Sequence, residues 1–252
     1  MITGTTNNCT RGANTVLTTW FSSLSDVAKA AKANGVSAGI TLQSFGMDNA
    51  ADGTIKRAPK TQAEMSWQVY TALAYGMKEI NYFTYWEHRT QALNGERHTG
   101  SMVRYPDAGE DLTKSVKTEL YTFVQTINKE IRKYDHVFMD FDWQESQVLG
   151  SNGAFEYIAD TAAVSDRASF TNSTGTALVS AMKDNEKGVD GFWIVNAEDP
   201  GAGTASVDVT VSFKDARKAL VYVDGEKTSV SLSNGSYTVS IPHGKGVFVI
   251  PY

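Results

Sequence analysis

The sequence has a single cysteine, Cys9, among 252 residues, so no intramolecular disulfide is available to it. It has no apolar run approaching the ~18 residues of a membrane-spanning helix. It has no surplus of positive charge: 23 Lys and Arg stand against 28 Asp and Glu, a net charge of −5. That balance excludes the basic face on which phosphate-backbone binders rely, and a neutral or cationic partner fits better than nucleic acid. The first ten residues, MITGTTNNCT, have neither a basic n-region nor an apolar h-region and are not expected to act as a signal peptide. Location is therefore left open, cytoplasmic as the chain stands and secreted or periplasmic if a leader precedes it. With four His and one Cys, nothing matches a zinc-ligand spacing, including the cluster Glu87, His88, Glu96 and His98. No Gly-rich phosphate loop follows a predicted strand, and no cofactor is expected.

What the chain has in quantity is aromatic side chains, five Trp, eleven Tyr and eleven Phe, a supply suited to a core and to stacking on flat, weakly polar ligands such as sugar rings. The length allows one large domain or two ordinary ones at roughly 150 residues each. A helix is expected from Ser23-Leu24-Ser25-Asp26 into VAKAAKANG, with Leu24, Val27, Ala28 and Ala31 on one stripe and Gly35 as its stop. A short apolar strand, VSAGITLQSF at 36–45, follows it. Beyond a loop at 46–59, Thr61 and Glu64 have capping-box spacing and open a second helix closed by Gly76. Residues 79–86, EINYFTYW, read as a second buried strand. A long polar loop at 87–110 leads to a third helix over 113–133.

Helix and strand in alternation imply parallel βα units, yet two strands close no barrel. Near residue 145 the composition changes, and afterwards the period becomes two. Ser206 to Phe213 alternates strictly, Asp224-Gly225 and Asn234-Gly235 mark favoured turns, and strands are expected at 155–159, 191–195 and 247–250. The expectation is therefore an α/β unit, a partial (β/α) barrel over 1–148, followed by an all-β unit, a small antiparallel β-sandwich over 149–252.

Two segments carry a family likeness. AEMSWQVYTALAYGMKEINYFTYW at 63–86 resembles the seventh helix and eighth strand of clan-A, β-galactosidase-like glycoside hydrolases, and TINKEI at 126–131 sits where those enzymes carry the last barrel helix. GFWIVNAED at 191–199 and IPHGKGVFVI at 241–250 are similar to the β-domain that follows such barrels. The resemblance implies a carbohydrate substrate and hydrolysis of an O-glycosidic bond, and it makes residues 36–46 the seventh barrel strand, with six strands lacking a counterpart. In that family the catalytic carboxyls come from strands four and seven, about 5 Å apart in retaining enzymes. Here the position at the end of the seventh strand is Gln43, an amide that cannot attack an anomeric carbon.

Barrel sites gather at the C-terminal ends of strands, which singles out Gln43 to Asp48 and Tyr85 to His88. Glu87 is the candidate general acid/base, its alternative being a solvated loop carboxylate paired with Arg89. The second carboxylate is expected from Asp48 or from a partner subunit. Trp86 is expected to stack on a sugar, with Gln43 and His88 binding hydroxyls. Glu64 is assigned to its cap, and Asp140 and Asp142 to the outward face of an edge strand. Gly35-Val36-Ser37-Ala38-Gly39 matches the G-x-S-x-G elbow of serine esterases, but with helix and strand in reversed order, so Ser37 is a weaker alternative nucleophile with His88 or His98 as base. A non-catalytic carbohydrate-binding module is the other alternative. The incomplete barrel leads us to expect a homo-oligomer that covers open edges.

Overall fold

Helix α1 (Ala13–Asn34) carries Phe21, Leu24 and Ala28 at helical spacing, and all three are buried. It begins ten residues before Ser23, because the apolar stripe extends back through Trp20 and Phe21. It stops at Gly35, where the Val36 N–H donates to the Ala31 carbonyl at 3.1 Å. The computed structural model describes residues 13–49, 55–56, 59–93, 96–104, 111–150, 168–172, 174–201, 203 and 205–252; Cys9 and the strand expected at 155–159 lie outside them.

Strand β1 (Ala38–Gln43) leads into two short strands, β2 (Gly46–Asn49) and β3 (Ile55–Lys56). Thr61 then caps α2 (Gln62–Ala74): its Oγ1 accepts from Glu64 N at 3.2 Å while a Glu64 carboxylate oxygen accepts from Thr61 N at 2.9 Å. The capping box explains Glu64 without chemistry. Strand β4 (Met77–Phe83) returns parallel to β1, with Gln43 opposite Phe83. Gly76 between α2 and β4 has φ +74°, and a Cβ there would lie 2.7 Å from Trp143 Cβ, so that turn tolerates no side chain.

The two segments expected as loops hold more order than their sequence advertises. β2 and β3 pair with β5 (His88–Leu93) and β6 (Glu96–Thr99) in a four-stranded sheet of order β3-β2-β6-β5. The third helix is a correction too. Its expected first turns are a 3₁₀ turn (Leu112–Lys114) and β8 (Val116–Lys117), which pairs with β7 (Val103–Arg104). Helix α3 (Glu119–Ile131) starts only beyond Thr118, whose N–H and hydroxyl bond the Met102 and Ser101 carbonyls at 2.9 and 2.8 Å. Tertiary pairing overrides helical periodicity here. A short α4 (Asp135–Phe138) follows.

The remaining strands are β9 (Phe141–Leu149), β10 (Ala168–Asn172), β11 (Ala177–Asp184), β12 (Val189–Asn196), β13 (Val207–Phe213), β14 (Lys218–Val223), β15 (Glu226–Ser231), β16 (Ser236–Ile241) and β17 (Gly246–Pro251). They form a six-stranded sheet, β15-β14-β17-β12-β11-β9, and a three-stranded sheet, β10-β13-β16, joined antiparallel throughout. Asp142 is exposed on the edge strand β9, between buried Phe141 and Trp143. Asp224-Gly225 makes the expected hairpin of β14 and β15. Asn234-Gly235 makes the expected tight turn, but β15 and β16 belong to different sheets, so this turn carries the chain across the sandwich.

The central strands of the six-stranded sheet, β11, β12 and β17, are buried on both faces. Val179, Phe192, Ile194, Val221 and Val249 meet Val209, Val211 and Ile241 of the small sheet. On the other side Trp193, Phe248 and Tyr222 meet Tyr70, Tyr134 and Phe138, with Tyr70 and Trp193 ring centroids 6.0 Å apart. Helix α2 therefore lies between the parallel pair and this sheet, and every residue from Glu64 to Ala74 is buried. The parallel component of the fold, among the described residues, is the strand pair β1 and β4 and an isolated parallel bridge between Trp86 and Val103, with antiparallel sheets elsewhere.

Candidate functional site

Ile40, Leu42, Ile80 and Tyr82 turn into the helical core, whereas Thr41, Glu79, Asn81 and Phe83 on the alternate positions are exposed. At the C-terminal ends of the two strands the backbone is tied into a rim. Ser44 N donates to Phe83 O at 2.7 Å and Ser44 Oγ to Thr84 O at 3.2 Å. The Phe83–Thr84 peptide bond is cis. Thr84 Oγ1 and Ser101 Oγ are 3.1 Å apart, and Val103 N donates to Tyr85 O at 2.8 Å. Glu87 N donates in turn to Val103 O at 3.2 Å.

Behind this rim is a cavity of about 290 Å³ lined by Trp20, Thr41, Leu42, Gln43, Phe45, Gln68 and Phe83. Among the described residues its lining has no ionisable side chain, and the polar side chains facing it are the amides of Gln43 and Gln68 and the hydroxyl of Thr41. Gln68 comes from the middle of α2. Its Oε1 accepts from Gln43 N at 3.1 Å and its Nε2 donates to Gln43 O at 3.2 Å. The Gln43 side chain donates through Nε2 to Phe45 O at 3.0 Å. Phe45 and Phe83 meet edge to face at 5.7 Å.

Outside the cavity the rim is aromatic. Phe83, Tyr85 and Trp86 are 47, 44 and 39% exposed, high for such side chains so close together. Tyr85 packs against Trp86 at 5.2 Å and against Tyr121 of α3 at 6.3 Å, and Lys117 Nζ lies 4.2 Å from the Tyr121 ring centroid.

Of the residues singled out from sequence, Gln43 lines the cavity and Trp86 stands on the rim. Glu87 follows Trp86 but is buried, 3% exposed, and its Oε1 accepts from Gly100 N at 3.1 Å. That bond holds the 100–104 segment against the strand ends. Asp48 and His88 are placed by backbone register alone: Asp48 lies opposite Arg97 on β6, and His88 opposite His98. Ser37 is at the other end of β1, beside a second cavity of about 360 Å³ that includes Lys32, Lys78, Asp142 and Trp143. The length of β1, rising about 3.3 Å per residue, separates it from the end where β6 carries His98 opposite Met47 of β2. Lys78, in that second cavity, donates to the Met139 carbonyl at 2.6 Å and to those of Phe138 and Phe141, and burial draws its ammonium below the usual lysine value. Among the described residues no group of three or more His, Cys, Asp or Glu could hold a metal ion.

Sequence reasoning missed Gln68, Trp20 and Tyr121, while Phe45 fell within the Gln43 to Asp48 segment without being given a role. Gln68 had a signal, since it is a long polar residue inside an apolar helix. The others reach the site through tertiary packing.

The fold and site together describe a mixed protein, a helix-backed parallel strand pair with an aromatic-rimmed cavity, joined to a two-sheet antiparallel sandwich. No family model matches the chain, and no curated protein matches it. Among solved structures it is similar to a GH30 endoxylanase from Clostridium papyrosolvens C71, at 12% identity and a TM-score of 0.39, over 90% of this chain and 46% of that one. It is similar also to the glycoside hydrolase family 30 subfamily 8 xylanase Xyn30A from Clostridium acetobutylicum, at 13% identity and a TM-score of 0.32, over 88% of this chain and 44% of that one. The chain thus spans less than half the length of either.

Proposed function

We propose that this chain is a glycoside-hydrolase-like protein that binds carbohydrate at the C-terminal ends of β1 and β4. The observation that carries the reading is the exposed row Phe83, Tyr85 and Trp86 beside a cavity whose polar groups are neutral. Aromatic faces take the apolar C–H faces of sugar rings, and amides exchange hydrogen bonds with hydroxyls in either sense. The test is calorimetric titration with cellohexaose and xylohexaose, alongside a panel of p-nitrophenyl glycosides. Wild type should bind at least one oligosaccharide, and Trp86→Ala should weaken that binding about tenfold, a change of ~1.4 kcal/mol, with the fold intact because the side chain is part-exposed. Absence of binding in wild type would refute the reading.

A second reading, glycosidic hydrolysis, is favoured by the position of Glu87 directly after Trp86. In it Glu87 is the general acid/base, Asp48 the second carboxylate, and Gln43 and His88 orient hydroxyls. The enclosed Glu87 carboxylate and its bond to Gly100 N support binding over turnover.

The same proposal treats residues 1–148 as part of a (β/α) barrel and 149–252 as its sandwich. β1 and β4 each have one neighbouring strand among the described residues, and their outward positions are exposed, so a homo-oligomer that packs these units together is the expected assembly. Light scattering checks this, and a monodisperse monomer overturns it.

A further inference from the structure

We propose that Gln68 is the positioning residue of this site, a side-chain amide that stands in for a neighbouring strand and fixes Gln43 at the cavity. The inference rests on the carbohydrate reading above. In a β-strand the N–H and C=O of one residue point to the same side. Ser44 turns its N–H to Phe83 on β4, so the Gln43 pair points the other way, to the side where β1 has no strand partner among the described residues. There Gln68 meets both groups, at 3.1 and 3.2 Å. The partners also fix the amide's sense, since an N–H must meet its oxygen and a carbonyl its NH₂. Two contacts to one residue prevent rotation about either.

Packing alone does not call for this side chain. Gln68 is 1% exposed on a helix whose neighbours are Met65, Trp67, Val69 and Leu73. A methionine would fill the same volume without a polar group to satisfy. The amide is retained where it lines the cavity and holds the backbone of Gln43, the residue whose side chain also lines it.

The experiment compares wild type, Gln68→Met, Gln68→Glu and Leu73→Ala, the last a core truncation on the same helix away from the cavity. Cellohexaose and xylohexaose binding is measured from pH 8 to 5, with thermal stability and the exchange rate of the Gln43 amide. Gln68→Met should accelerate exchange at Gln43 and weaken binding about tenfold, while Leu73→Ala lowers stability and leaves affinity unchanged. Gln68→Glu gives the distinctive result. As a carboxylate it accepts from Gln43 N but cannot donate to Gln43 O; protonated, it regains the donor. Burial raises a carboxyl's pKa, and no other titratable group lines the cavity among the described residues. Its affinity, taken relative to wild type at the same pH, should therefore recover as pH falls to 5. If wild type binds and Gln68→Met binds equally well with Gln43 still protected, the positioning role is overturned and the sugar reading stands. If wild type binds neither oligosaccharide, both fall.

Discussion

Glu87→Gln separates a carboxylate that holds the rim from one that does chemistry. The substitution keeps the shape and keeps an oxygen facing Gly100 N, where the wild-type bond is 3.1 Å. What it removes is the charge. A hydrogen bond to a charged group contributes about 1.5–3 kcal/mol and a neutral one about 0.5–1.5, so the variant should lose about 1 kcal/mol of stability. For a chain of this size that is a fall in Tm of roughly 2–4 °C. If Glu87 only ties Gly100 to the strand ends, sugar affinity should change by less than about twofold. The assay pairs a thermal melt with calorimetric titration on the same protein. An unchanged Tm with a tenfold loss of affinity would refute the reasoning, because the carboxylate would then be meeting ligand rather than Gly100. If hydrolysis of p-nitrophenyl glycosides is detected, general acid/base loss predicts a fall of about 10²–10⁴ in rate with affinity kept, and that pattern would establish the second reading.

Three further outcomes follow from contacts away from the site. Thr61→Ala removes the cap acceptor of α2 and should cost about 1 kcal/mol in urea unfolding, with Gln62 to Ala74 exchanging faster. Lys245 bridges Glu130 of α3 at 2.6 Å and Asp224 of the β14–β15 turn at 3.1 Å, with its side chain largely buried. Lys245→Met leaves Glu130 enclosed without its cation and should cost about 3 kcal/mol, read as a shift in the urea midpoint. The Asp184 carboxyl accepts from the backbone N–H of Lys187 and Glu186 and from the Lys187 ammonium, which holds it below the usual carboxylate value. A carboxyl depressed in the folded state stabilises above its unfolded pKa, about 3.9, and that stability is lost as pH falls through the folded value. The wild-type urea midpoint should therefore drop below about pH 4, and Asp184→Asn should remove that part of the drop.

The parts of the fold that were legible in sequence are those whose signal is local. Thr61 and Glu64 specify a cap three residues apart, Gly35 and Gly76 end helices, and Asp224-Gly225 turns a hairpin. β13 announces itself by strict alternation because one face meets the core and the other meets water. The four-stranded sheet of β2, β3, β5 and β6 gave no such signal. Its strands are two to six residues long and polar, and their pairing links residues some fifty positions apart, such as Gly46 and Thr99. Val116 shows the opposite failure. Its apolar side chain fits the helical period with Leu120, yet the residue is exposed and paired with Arg104. In the site, strand ends located Gln43 and Trp86, but whether Glu87 faces a ligand or Gly100 depends on a contact thirteen residues away that no spacing rule encodes.

Helix α2 shows how the two halves of the fold constrain the site. A helix with one core-facing stripe leaves room for polar residues on the other face, but α2 is enclosed by α1, the parallel pair and the six-stranded sheet, and has no outer face. Trp67 meets Phe21 of α1 at 5.4 Å, and Tyr70, three residues on, meets Trp193 of β12. In such a helix each polar residue must find a partner or carry a desolvation cost. Thr71 does so within the core, donating to Trp67 O at 2.7 Å and accepting from Trp20 Nε1 at 3.0 Å. Gln68 does so at the strand end, and Trp20, held by Thr71, forms the wall beside it. The cavity is therefore positioned by the same helix that the sandwich clamps from behind, with Tyr70 against Trp193 on one side and Gln68 against the Gln43 backbone on the other.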